Sequence, residues 1–327
     1  MIKGVAVDFL QKLNAFAPAR FLNRNKLLIL MYHRFSSGEE IGKTSAALFE
    51  RHLVYLKLHY NPISLSEAVT RYIANEPVPP RSVVLTVDDG YADFFDVAFP
   101  LLTKYEFPAT IYVVTDFVGQ KAWIWTDKMR FVFLAAPKGP VEVSVGTDRF
   151  EFDLEGKTSR FAAAGKVNST LKRLPDDVKE AQISEIADSL KVQLPESPPA
   201  EFGPLTFDQL EELSKSRIEI GSHTVSHPIL TNVDEQRLKD ELEKSRSVVE
   251  PLASNGMVHF CYPNGNVSDR ERDAAKAADF ASAVTTEIRL CNNEDDLFRL
   301  PRIDAEPEMG RFVQATSGFD RLKPNVR

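Results

Sequence analysis

Short apolar, β-rich runs alternate with amphipathic helical patterns along most of this chain, and that order leaves few folds open. Strands are read at 26–33 (KLLILMYH), 82–87 (SVVLTV), 109–114 (ATIYVV), 218–221, 257–262, 282–286 and 298–303. Helical periodicity fills the intervals at 48–59, 66–75, 92–105, 206–216, 234–252 and 268–278. Strand and helix in repeated order imply a parallel sheet, either open and doubly wound or closed as a (β/α) barrel. Both architectures present reactive side chains at the carboxyl ends of their strands. No Gly-rich phosphate loop follows any strand, which weighs against a nucleotide-binding version.

The rhythm breaks at about 118–204. Runs at 141–145 and 149–154, joined by Gly146-Thr147-Asp148, read as a β-hairpin, and polar helical patterns follow at 159–174 and 176–190. Pro195, Pro198, Pro199 and Pro204 then punctuate a linker. This stretch reads as an inserted lid or subdomain within a domain spanning 26–310, with a tail at 311–327. Ahead of the domain, residues 1–25 place Val5, Phe9, Leu10, Leu13, Phe16 and Phe21 at roughly helical spacing among Lys3, Lys12, Arg20 and Arg24. A helix lying on a membrane surface has this pattern, and so does a helix packed on its own domain.

A net charge of -7 without a dominant basic cluster excludes a nucleic-acid phosphate track. The longest strongly apolar run, 27–32, is too short to span a bilayer, and the amino terminus does not read as a secretory signal. The expectation is a cytoplasmic protein, working at the inner face of the membrane if the amino-terminal helix docks there. Cys261 and Cys291 make no disulfide framework and read as buried thiols.

Chemistry concentrates at two strand ends. Asp88 and Asp89 close the 82–87 run and precede Gly90, where the backbone can turn and bring both carboxylates to one site. One can then ligate a metal while the other takes a proton from water. The same tripeptide also serves as an ordinary turn. His223 and His227 follow the 218–221 run; four apart on a helical turn, both rings would share a face and chelate one ion, with Gly221-Ser222 releasing the chain from the strand. Two histidines and one carboxylate with open positions make a catalytic rather than a structural metal set.

In order and context these segments resemble the polysaccharide deacetylase family, the NodB-homology or carbohydrate esterase family 4 group. Its T-F-D-D-G motif is matched by Thr86-Val87-Asp88-Asp89-Gly90, and its H-[ST]-x-x-H-P motif by His223-Thr224-Val225-Ser226-His227-Pro228. A third motif, centred on P-Y-G, is echoed by Cys261-Tyr262-Pro263-Asn264-Gly265, while Tyr32-His33-Arg34 and Leu300-Pro301-Arg302-Ile303 recur in relatives. The resemblance implies a distorted (β/α) barrel of seven or eight strands. It implies a divalent metal, zinc before cobalt or another ion, held by Asp89, His223 and His227, with Asp88 as general base. The oxyanion would form near the backbone N–H groups around Tyr262. The substrate implied is an N-acetylated amino sugar in a polysaccharide, oligosaccharide or lipid- or nucleotide-linked glycan. A hydrolase of another non-peptide amide, such as a formamide, and a glycan-binding relative without catalysis are the alternatives.

Two family features are missing. Cys261 stands where many members carry an arginine that orients the base, and no histidine follows His259 to serve as general acid. Arg302 is the candidate for the orienting charge, and His33 the candidate imidazole beside the metal. Asp88, once protonated, is the other candidate acid. Trp123 and Trp125 are candidate sugar-stacking platforms, and Tyr91 and Asp93 candidate cleft residues. His259, inside an apolar strand, reads as structural.

Overall fold

The computed structural model describes residues 15–253 and 256–319. Its centre is an eight-stranded, wholly parallel sheet. In chain order the strands are β1 (Leu28–Tyr32), β2 (Asn61–Pro62), β3 (Ser82–Val87), β4 (Ala109–Val113), β5 (Ile218–Ser222), β6 (His259–Cys261), β7 (Ser282–Val284) and β8 (Ile303–Asp304). In space they run β7-β6-β5-β4-β3-β1-β8, with β2 paired to the start of β3. Helices lie between successive strands from β1 to β7, and an irregular segment without a helix leads from β7 to β8, so the alternation in the sequence is the alternation of a (β/α) barrel.

Every residue of β1, β3, β4 and β5 is buried. Parallel strands covered on both faces read as unbroken apolar runs, which is why they stood out. Alternate residues go to different cores. Leu28, Leu30 and Tyr32 pack outward with Phe49, Leu53 and Leu56 of the helix Ala46–His59. Ile29, Val84, Tyr112, Cys261 and Val284 meet inside the curled sheet.

The last strand is shorter than the 298–303 run implied, and its irregular approach closes the barrel. Ala283 donates to the Leu297 carbonyl and Leu300 to Ala283, while Ile303 and Asp304 pair with Leu30 and Met31 of β1. Residues 297–305 thus lie between β7 and β1 and carry Arg302 into the interior. The helix read at 92–105 is π-helical over Phe94–Ala98 before an α-helix at Phe99–Tyr105. Phe99 N–H reaches back to Phe94 and Pro100 has no N–H to restore the α register.

The inserted segment has its own core, built by α1 (Trp125–Ala135), a hairpin of Pro140–Val145 with Asp148–Asp153, α2 (Lys157–Leu171) and α3 (Asp176–Ser189). The helix Met309–Thr316 belongs to the barrel, because Phe312 is fully buried and stacks on His52 at 3.7 Å. The helix Ala17–Leu22 also docks there, with Phe16 and Ala19 buried and Asn23 donating to the Ser317 carbonyl. Its Phe21 and Leu22 remain exposed. Val5, Phe9, Leu10 and Leu13 fall outside the described residues, as does 320–327. No helix among the described residues is long and apolar enough to cross a membrane.

Candidate active site

Asp88 still belongs to the ladder, donating its N–H to the Tyr32 carbonyl at 3.0 Å. The turn begins one residue later. Asp89 has φ +80 and Gly90 φ +89, two successive left-handed residues that swing the Asp89 carboxylate back over the strand ends. A Cβ on Gly90 would lie 3.1 Å from the Val113 side chain, so glycine is required by space as well as by φ.

The histidines reach the same point, but not on a helix. His223 extends β5, donating its N–H to the Val113 carbonyl at 2.9 Å, and the chain then loops through left-handed Thr224 and His227. Glu241, from the helix Glu235–Val249, holds the loop by accepting from the N–H groups of Val225 and Ser226 at 2.8 and 3.0 Å. Gly221 and Ser222 do not release the chain but stay in β5. A side chain at 221 would strike the Tyr112 ring at 2.6 Å and the His259 carbonyl at 2.9 Å.

The outcome is the triad inferred from the sequence. Both His223 Nε2 and His227 Nε2 lie 3.5 Å from Asp89 Oδ1, with the rings 4.8 Å apart. Tetrahedral ligands at about 2.0–2.1 Å from a zinc ion sit about 3.4 Å from one another, so the donors fit such an ion. His223 Nδ1–H donates to the Cys261 carbonyl at 2.7 Å, which fixes the tautomer and leaves Nε2 with a free lone pair. Burial lowers the pKa of both imidazoles, keeping them neutral and able to ligate. Burial raises that of Asp89, and nearby His33 and His223 offset it only in part. A second grouping, Asp88, His223 and Cys261, is as compact. Burial pushes the Cys261 thiol well up and both Asp88 oxygens are already engaged, so it is the poorer cradle.

Asp88 is gripped by Arg302. The guanidinium donates to Oδ1 at 2.7 Å and to Oδ2 at 2.8 Å, and it is anchored behind by the Thr285 carbonyl at 2.9 Å and the Thr86 hydroxyl at 3.0 Å. Burial works to raise the Asp88 pKa, but the Arg302 charge and hydrogen bonds outweigh it and hold the carboxyl well below the usual range. A guanidinium from the closing segment thus stands against Asp88, while Cys261 Sγ sits 3.4 Å from the same carboxylate. His33 stands at the rim, 47% exposed, with Nε2 3.8 Å from Asp88 Oδ2.

These groups line a cleft of about 320 Å³, walled on one side by Trp125, Thr126 and Arg130 of α1 and by Lys172. Trp125 lines it, its ring held by the Lys179 ammonium 4.5 Å from its centre. Trp123 does not: it is buried against Phe202 and Phe131. Tyr91 is also behind the wall, donating to Asp127 at 2.5 Å beneath the Arg34 guanidinium, and Asp93 is the ion-pair partner of Arg34. Tyr262 borders the cleft, but its ring is fully buried against Phe260 with the hydroxyl donating to the Phe298 carbonyl at 3.1 Å, and its N–H donates to the Val284 carbonyl at 3.3 Å and is spent within the sheet. His259 bonds Ser66 and Ser282 at the opposite end of the barrel, the structural role expected. Sequence reasoning missed Arg130 and Lys172, which carry no motif.

The sequence profile of the Polysaccharide deacetylase family matches residues 75–283. YxkH of Bacillus subtilis (strain 168), named for that family, is 21% identical over 87% of this chain and 73% of its own length. The poly-beta-1,6-N-acetyl-D-glucosamine N-deacetylase of Staphylococcus aureus is 31% identical over 112 residues, covering 30% of this chain and 39% of that protein. Among solved structures, the deacetylase PplD of Streptococcus pyogenes in complex with acetate superposes with a TM-score of 0.59, covering 89% of this chain and 98% of PplD at 20% identity. That likeness establishes the fold.

Proposed function

Because this chain belongs to the polysaccharide deacetylase family, we propose that it is a divalent-metal hydrolase removing the N-acetyl group from an amino sugar of a glycan. The observation that carries this reading is the buried triad of Asp89, His223 and His227 beside an Asp88 that is kept ionised and out of the ligand set. A divalent ion held there, zinc by its donor set, would polarise the acetamide carbonyl and acidify water.

The protein's own groups do the rest. Arg302 fixes the direction of the Asp88 carboxylate, so its proton acceptance is oriented toward the cleft rather than shared with solvent. Both Asp88 oxygens are engaged by Arg302, at 2.7 and 2.8 Å, and we give this carboxylate the proton acceptance only, leaving the donation to the leaving amine to a second group. His33 is the remaining cleft imidazole, half-exposed and next to the base, and we assign it that donation. Trp125 lines the cleft but is almost wholly buried, with the Lys179 ammonium against its ring, so it shapes the wall rather than stacking on a sugar. The N-acetylglucosamine polymer named for the staphylococcal relative supports an amino-sugar glycan as the substrate class.

The test is acetate release from N-acetylglucosamine oligomers by zinc-loaded protein. Asp88→Asn should keep its metal and lose turnover by about 100-fold or more, the usual worth of a general base. Unchanged turnover removes Asp88 from that role. Formate released from N-formyl sugars in preference to acetate would favour the other amidase reading. Glycan binding without acid release would favour the non-catalytic one.

A further inference from the structure

We propose that the cleft is built for an N-acetylated sugar bearing a negative charge, a phosphate or a carboxylate, and that Lys172 is the side chain that reads it. The inference rests on the deacetylase reading for the acetamide and adds the rest of the substrate. Lys172 is the cleft cation left without a carboxylate. Arg302 is matched by Asp88, Arg34 by Asp93 at 2.7 Å, and Arg130 by Asp127 at 2.7 Å. No carboxylate among the described residues pairs with Lys172, although its side chain lines the same cleft as the triad.

Its place is fixed rather than incidental. Lys172 caps the end of α2, its N–H donating to the Asn168 carbonyl, and Asn168 in turn donates to Thr126 of the cleft wall at 3.1 Å. Asn232, five residues beyond His227, donates to the carbonyls of Lys172 and Leu174 at 3.1 and 3.3 Å. The insert is therefore stitched to the loop that carries a metal ligand, with Lys172 at the seam. Burial and the neighbouring Arg130 both work against its positive charge and lower its pKa, a cost that a bound anion would relieve. With an ion on Asp89 and the other charges cancelled in pairs, the cleft carries net positive charge. A neutral N-acetylglucosamine polymer offers nothing to meet it, whereas a sugar phosphate or acidic sugar does.

The experiment compares acetate release by zinc-loaded protein from N-acetylglucosamine, N-acetylglucosamine 1-phosphate and N-acetylmuramic acid. The charged sugars should have the higher kcat/KM, by about tenfold for one charge-assisted contact, and the advantage should shrink as salt rises. Lys172→Met should collapse the charged-to-neutral ratio by about the same factor. Arg173→Gln, on the exposed neighbour, should leave the ratio alone. Which of the two acids gains identifies the source of the charge. A wild-type ratio near one, or a ratio that Lys172→Met does not move, overturns the proposal. Should neither these sugars nor N-acetylglucosamine oligomers be deacetylated, the deacetylase reading fails. Calorimetric affinities of the phosphate and neutral sugars for both proteins then decide the Lys172 proposal by the same ratio.

Discussion

Replacing Arg302 with methionine removes the cation that both oxygens of Asp88 face at 2.7 and 2.8 Å. Both side chains are buried, so water cannot take the place of the guanidinium. Stranding one member of a buried ion pair costs about 3–5 kcal/mol, and two charge-assisted hydrogen bonds at about 1.5–3 kcal/mol each arrive at the same range. Methionine fills much of the volume but also leaves the Thr285 carbonyl and the Thr86 hydroxyl without this donor. The expected loss is about 4 kcal/mol in urea unfolding of the metal-free protein at neutral pH, a large part of a typical domain's stability. Asp88→Asn alone should cost about 3 kcal/mol, because it strands the arginine instead. The double variant strands neither charge, so it should recover at least about 2 kcal/mol relative to the sum. In Arg302→Met, burial acts on Asp88 with only His33 and His223 left to oppose it and raises its pKa from the wild-type position, so the deficit should shrink as the pH falls and the carboxyl protonates. Costs that add to within about 0.5 kcal/mol, with no pH dependence, would refute the pairing and with it the orienting role of Arg302.

Three further outcomes follow from the packing. Burial, aided by Arg51, lowers the His52 pKa from 6.5 to about 3, so between those values the unfolded chain binds a proton that the folded protein refuses. Stability contributed by neutral His52 is present above pH 6.5 and lost as the pH falls, by about 2 kcal/mol between pH 7 and 5; His52→Gln should flatten that part of the urea-midpoint profile. Gly221→Ala drives a methyl to 2.6 Å from the Tyr112 ring and should destabilise by about 3 kcal/mol in the same assay. Gly165→Ala, in the middle of α2 with nothing within 4 Å of the new methyl, should stabilise by about 0.5–1 kcal/mol.

What could be read from the sequence was what is local. The barrel strands were legible because burial on both faces makes them continuous apolar runs, and the insert's hairpin because Gly146-Thr147-Asp148 marks its turn. The motif residues Asp88, Asp89, His223 and His227 met as the strand ends require. Their local conformations did not follow from spacing, since the His223–His227 loop is shaped by two left-handed residues and by Glu241 on a later helix. The helix α1 had no start signal, because Ile124 at its N-cap offers no side-chain acceptor. The Asp88–Arg302 pair joins positions 214 residues apart, and Lys172 reaches the cleft only because the insert folds back over the barrel. Such contacts leave no periodicity behind. The tryptophans show the same limit: one dipeptide step separates Trp125 in the cleft from Trp123 packed behind it.

The central claim is that Asp89, His223 and His227 hold one catalytic ion while Asp88 does not, and metal content tests it most directly. After loading with zinc and exhaustive dialysis, the wild-type protein and Asp88→Asn should each retain about one ion per chain, and His223→Ala should retain almost none. A His223→Ala protein that keeps the wild-type zinc content would contradict the account.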